Sequence, residues 1–222
     1  VLYDKQKNRF FCHILSFVSL ILSLLSKESA VIIPFLILLY VSAFNNSAES
    51  GKWKKYKAVF PYFIILLIYI LLRVSILDFS KTVYSGLYVQ TEPLYLRVLT
   101  ACKVLFLYLR FLFLPVGFQM EMHVRLVKSI LESSAFISVA GAVSLICALF
   151  YIRKSSIFVF FGFAWFFITL LPVLNIFPVN AVMAIHWLYL PSAGFFFAIS
   201  VFVWNLLNFG ARARAYTFIA IF

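Results

Sequence analysis

Three groups of side chains in this sequence have the types and spacing to act on an anionic substrate. Lys27 and Glu28 stand side by side between two apolar runs. Arg97 is followed at a distance by Glu121, His123 and Arg125. His186 heads another apolar run, in Ile185-His186-Trp187-Leu188-Tyr189-Leu190-Pro191-Ser192. Cations hold a phosphate through charge-assisted hydrogen bonds, arginine with a planar fork and lysine or histidine as point donors. A carboxylate can take the proton of an incoming hydroxyl, and a histidine with an ordinary pKa of about 6.5 can carry one near neutrality. Combined, such groups suit transfer chemistry on a lipid-linked phosphate.

Each group also has a plainer role. Lys27 and Glu28 can pair with each other across a turn while Lys27 snorkels, and Arg73, near the end of its apolar run, can snorkel likewise. Glu121, His123 and Arg125 alternate, so an extended backbone would put all three on one side, as a solvated face or, at poor spacing, as metal ligands. Trp187 and Tyr189 fit an interfacial aromatic belt, but imidazole gains little from that layer, which leaves His186 unexplained by it.

The elements that must position these residues are set by composition. Hydrophobic residues make up 65% of the 222 and charged ones 12%, with a mean hydropathy of +1.06. A water-soluble domain of this size cannot bury so much apolar surface, so the expected fold is all-α, a polytopic membrane helix bundle. A net charge of +12 does not point to nucleic acid, because the basic residues lie in short clusters between apolar runs instead of forming a stripe. Cys12, Cys102 and Cys147 all fall in apolar stretches without CxxC spacing and read as thiols packed in helices. Nothing resembles a signal peptide, and a start at Val1 with an end inside an apolar run predicts a fragment of a longer protein.

Spans are expected at 10–26, 29–44, 58–77, 134–152, 156–171 and 188–208, with another starting near 215. Pro34, Pro61, Pro172 and Pro191 fall within them or near their ends, where neighbouring helices can re-satisfy a kink. Basic clusters lie at Lys5, Lys7 and Arg9, at Lys52, Lys54, Lys55 and Lys57, at Arg153 and Lys154, and at Arg212 and Arg214. If all four are cytoplasmic, the positive-inside rule holds throughout. Ser26-Lys27-Glu28, the segment 78–133 with Asp78, Lys81 and Glu92, and the loop 172–187 then face outward. A crossing by 93–114 would put Arg153 and Lys154 on the wrong side, and that segment carries Arg97, Lys103 and Arg110. It is therefore read as an amphipathic, interfacial or re-entrant helix on the outer face, the alternative being a crossing helix packed inside the bundle.

Three blocks, in order, resemble one family. Leu25-Ser26-Lys27-Glu28-Ser29-Ala30 with Pro34 and Tyr40 is the first. The second is Pro93-Leu94-Tyr95-Leu96-Arg97-Val98-Leu99-Thr100, running to Tyr108-Leu109-Arg110 and Leu114-Pro115-Val116-Gly117. The third runs from Trp165 to Pro172 with Asn175 and Pro178, then from His186 through Ser192 to Gly194. Together they are similar to the transmembrane and tetratricopeptide-repeat (TMTC) O-mannosyltransferases and their bacterial relatives. The resemblance implies a GT-C-type glycosyltransferase, with 1–222 as part of its transmembrane domain and 78–133 as an extracytoplasmic segment. Such enzymes pass a sugar, mannose or a similar hexose, from a polyprenyl-phosphate donor to an acceptor hydroxyl on a protein or glycan. They work on the outer or luminal side, in a bacterial inner membrane or the endoplasmic reticulum.

On that resemblance Lys27, His186 and Arg97 contact the donor phosphate, Glu28 orients Lys27 or a sugar hydroxyl, and Tyr189 lines the lipid or sugar pocket. The catalytic base of the family lies in a first outer loop that this sequence does not offer. The lipid-linked sugar is a co-substrate, and no cofactor or metal is called for. The sequence departs from the family signature at Ile185, where the family has glutamate, and at His186, where it has arginine. A transporter or flippase of lipid-linked sugars would use the same outward cations, but it predicts paired discontinuous helices that are not evident. A membrane scaffold would need none of them.

Overall fold

The computed structural model describes residues 6–44, 56–75, 93–117, 119, 121–122, 124–129, 132–174, 176 and 182–221, with backbone alone at 6–10, 121 and 209–221. It is mostly helical, with seven α-helices and one two-stranded ribbon among those residues. They fall into two units, Val1–Gly86 and Leu87–Phe222.

In the first unit, α1 (Gln6–Ser26) is followed by a 3-10 turn (Glu28–Ile32), α2 (Ile33–Phe44) and α3 (Phe60–Ser75). Only Lys27 separates α1 from the 3-10 turn, at φ −147° and ψ 126°. Its N–H reaches the Ser23 carbonyl at 2.9 Å, and its own carbonyl accepts from Ala30 N–H at 3.0 Å. The core is small: Leu20 and Leu24 of α1 meet Tyr62 and Leu66 of α3, and the Tyr62 and Ser16 hydroxyls lie 2.7 Å apart.

The second unit is built around α4 (Leu94–Phe113), with α5 (Ser133–Ser155), α6 (Ile157–Leu170) and α7 (Tyr189–Ile221). The stripe Leu96, Thr100, Ala101, Val104, Leu105, Tyr108 and Phe111 of α4 is buried. The apolar face that an interfacial helix would lay on lipid is thus turned into the unit's own core. Strand β1 (Glu121–Met122) pairs antiparallel with β2 (Met183–Ala184), Glu121 opposite Ala184. Buried Tyr108 holds that ribbon, its hydroxyl 3.2 Å from the Ala184 carbonyl and 3.3 Å from the Ala184 N–H. The buried Val127 N–H donates to Thr100 Oγ1 at 3.1 Å, and Lys103 Nζ to the Arg125 carbonyl at 3.0 Å. The chain after α4 is therefore strapped back along it.

Helices α6 and α7 cross at glycine. A Cβ added to Gly162 would lie 2.7 Å from the Gly194 carbonyl oxygen and 2.8 Å from Ala198 Cβ. Such close approach of backbones is the contact that small residues permit between helices in lipid, where dispersion and hydrogen bonding replace the hydrophobic drive.

Two helical stretches, Ser133–Ser155 and Ile185–Asn208, are long and apolar enough to cross a membrane, and only 17% and 22% of their apolar windows are buried. Four shorter helices are also apolar: Phe11–Ser26, Glu28–Phe44, Phe60–Ser75 and Ile157–Val173. Eight hydroxyls, on Ser19, Ser23, Ser42, Ser75, Ser138, Ser144, Thr169 and Ser192, donate to carbonyls three or four residues earlier in their own chain. That habit satisfies a polar group where water is scarce.

Pro34, Pro61 and Pro191 lie in the first turns of α2, α3 and α7, and Pro172 lies in a 3-10 turn, so none occupies a helix interior where it would force a kink. No break separates a span at 188–208 from another at 215: α7 continues to Ile221, as Ala and Arg are good helix formers and no proline intervenes. Cys12 and Cys102 are half-buried, but Cys147 is exposed on α5, not packed.

Candidate functional site

The joint between α1 and the 3-10 turn carries the first candidate group. Lysine there cannot cap a helix with an acceptor oxygen, and no side-chain cap bond forms. Lys27 is exposed, and its ammonium makes no ion pair or hydrogen bond among the described residues. Glu28 does not pair with it. Its carboxylate instead bonds the guanidinium of Arg73, from the last turn of α3. The guanidinium's other terminal nitrogen donates to the Tyr69 hydroxyl at 2.8 Å, one turn earlier on the same helix. The Glu28 and Arg73 side chains are 50% and 29% exposed, so the pair is a rim contact and not a core one. The expected pairing of Lys27 with Glu28 is thus replaced by a bond between elements. Tyr69 is a residue that sequence reasoning missed, and Arg73 reads from sequence only as a snorkelling cation, without its partner. A cation near the end of a span was the available signal, with nothing to tie it to a carboxylate 45 positions away.

In the second unit Arg97 occupies the core face of α4, in line with Thr100 and Ala101 one turn on. It is half-buried, and its Nε is fully enclosed without a hydrogen-bond partner among the described residues. An enclosed guanidinium N–H lacking an acceptor is destabilising by about 1–3 kcal/mol, and an anion is what relieves it. On the flank of the same helix lies an open groove of about 600 Å³ between α4 and α5. Leu94, Val98 and Cys102 line it from α4, and Val139, Val143 and Ile146 from α5. Burial pushes the Cys102 thiol up, so it stays a neutral part of that wall.

His186 is exposed in the 3-10 turn Ile185–Leu188, edge-on to Trp187 with ring centroids 5.6 Å apart. Its carbonyl accepts from the Tyr189 N–H at the start of α7. Neither an ion pair nor a hydrogen bond joins His186 to Arg97. Tyr189 is 85% exposed and is not among the residues lining the groove; the first turn of α7 carries its ring outward. The Trp165 indole N–H donates to the Leu190 carbonyl at 3.2 Å, fixing the turn that presents His186. Arg125 is exposed, while the side chain of Glu121 and all of His123, Asp78, Lys81, Glu92, Asn175 and Pro178 lie outside the described residues. Among the described residues no three His, Cys, Asp or Glu side chains gather to hold a metal ion.

Compared with family models, with curated proteins and with solved structures, the chain finds no match.

Proposed function

We propose that this chain is a multi-pass membrane protein of the GT-C type. In this reading it transfers a hexose from a polyprenyl-phosphate donor to an acceptor hydroxyl on the extracytoplasmic face. Arg97 carries the reading: an enclosed guanidinium nitrogen without an acceptor among the described residues calls for an anion. The apolar groove on another face of α4 is a place for an acyl or prenyl chain. Exposed apolar helices and hydroxyls turned onto their own backbones support the membrane.

His186, in the same unit as Arg97, supplies a further donor to the phosphate as it becomes the leaving group, and Lys27, in the other unit, is read by itself as a donor to an anionic headgroup. The sugar's anomeric carbon loses its bond to the phosphate oxygen and gains one to the acceptor oxygen, whose proton goes to a base outside the described residues. Stronger bonding to phosphate as its charge grows is the differential interaction that lowers the barrier. Lys27→Ala or His186→Ala is expected to depress transfer from a polyprenyl-phosphate sugar roughly 10- to 100-fold, with membrane insertion unchanged. Full activity in both variants, assayed in liposomes with the acceptor, would overturn the assignment.

A further inference from the structure

We infer that Arg73 is a positioning residue for Lys27. The inference rests on Lys27 meeting an anionic headgroup, as proposed above. A carboxylate next in sequence to an exposed lysine is its natural counter-ion, and a lysine so neutralised would attract phosphate poorly. Here that carboxylate is claimed by the guanidinium of Arg73, which is itself braced on Tyr69 at 2.8 Å. The guanidinium is planar and permanently charged, so it holds two partners at once in fixed directions. Lysine in its place would be a single point charge on a flexible stem. The three charges Lys27, Glu28 and Arg73 sum to +1, but the arrangement puts the surplus on Lys27, at the joint, and not on α3. Arg73 touches no substrate in this scheme; it keeps Glu28 occupied.

The test is binding, not turnover. The 222-residue chain in phosphatidylcholine nanodiscs is titrated with a polyprenyl monophosphate, and with phosphatidic acid to separate head from tail. Arg73→Met frees Glu28 to pair with Lys27 and is expected to weaken both ligands roughly three- to tenfold. Adding Glu28→Gln removes the competitor, so the double variant recovers most of the affinity. Adding Glu132→Gln instead restores the same net charge elsewhere and is expected to recover nothing. Glu28→Gln alone should bind more tightly than the parent. The inference is overturned if Arg73→Met binds like the parent, if Glu28→Gln fails to rescue it, or if Glu132→Gln rescues equally. A merely structural role for Arg73 predicts the second of these outcomes. Lys27→Ala separates the two levels: parent-like binding there removes the Lys27 reading itself. Weak binding there with Arg73→Met unaffected removes only the role of Arg73.

Discussion

Two helix joints in this molecule have nearly the same backbone and opposite chemistry. Lys27, at φ −147° and ψ 126°, joins α1 to the 3-10 turn; Ser156, at φ −148° and ψ 111°, joins α5 to α6. Ser156 does what a residue at that position does best. Its hydroxyl accepts the Val159 N–H and also meets Asn205 Nδ2, each at 3.5 Å. Just before it, Arg153 lies over the Phe160 ring, 5.3 Å from the centroid. Among the described residues Lys27 caps nothing and bonds nothing with its side chain, and it leaves its neighbour Glu28 to a different helix. A serine would suit the Lys27 backbone better. A position that forgoes the stabilising choice its geometry invites is consistent with the role proposed for Lys27.

The contrast between a joint serving packing and a joint proposed to serve a ligand can be broken or sharpened by substitution. The largest effect should come from Gly162→Leu, in the helix that Ser156 starts. Its side chain would press on the Gly194 backbone, which cannot yield as a side-chain tip does, and a loss of about 3 kcal/mol or more is expected from denaturant unfolding in detergent.

Tyr108→Phe comes next. It strips the buried Ala184 N–H and carbonyl of their partner, for a loss of about 1–3 kcal/mol. It also carries a pH signature. Burial pushes the Tyr108 phenol up to about 12, from the ordinary tyrosine value of 10.0, despite the Ala184 hydrogen bond that lowers it. The folded state therefore holds this proton longer than the unfolded one. Its contribution is present in full below about pH 10 and lost as pH rises through about 12. The part of the alkaline fall in stability due to this group should vanish in the phenylalanine variant.

Ser156→Ala should cost about 0.5–1 kcal/mol through the lost cap. Lys27→Ser should show the smallest shift and the opposite sign, a gain of roughly 0.5 kcal/mol or less, together with loss of sugar transfer. A Lys27→Ser variant both less stable and fully active would erase the distinction between the joints.

The helices were legible because long apolar runs punctuated by charge leave few alternatives, and the tight turn at Lys27 was visible for the same reason. The partners of the charged residues were not. Glu28 has Lys27 beside it in sequence, and only the packing of α1 against α3 brings Arg73 to it instead. Strands of two residues leave no periodicity, so the ribbon Glu121–Met122 with Met183–Ala184 had no signal. The buried face of α4 was hidden by its three cations. Lys103 reaches a backbone carbonyl and Arg110 is exposed, while Arg97 lies on the core side, so charge count alone does not tell which face of the helix is buried.

The single-residue joint at Lys27 has a consequence for how this sequence can vary. Adding or removing one residue there would turn everything after it by roughly 100–120° about the helix axis. Glu28 would swing away from Arg73, and Ile32 would leave its buried place. Substitutions at the joint cost little, whereas a change of length discards the whole angular register of α2. Among natural variants of this protein, insertions and deletions should therefore avoid residue 27 even where its side chain differs.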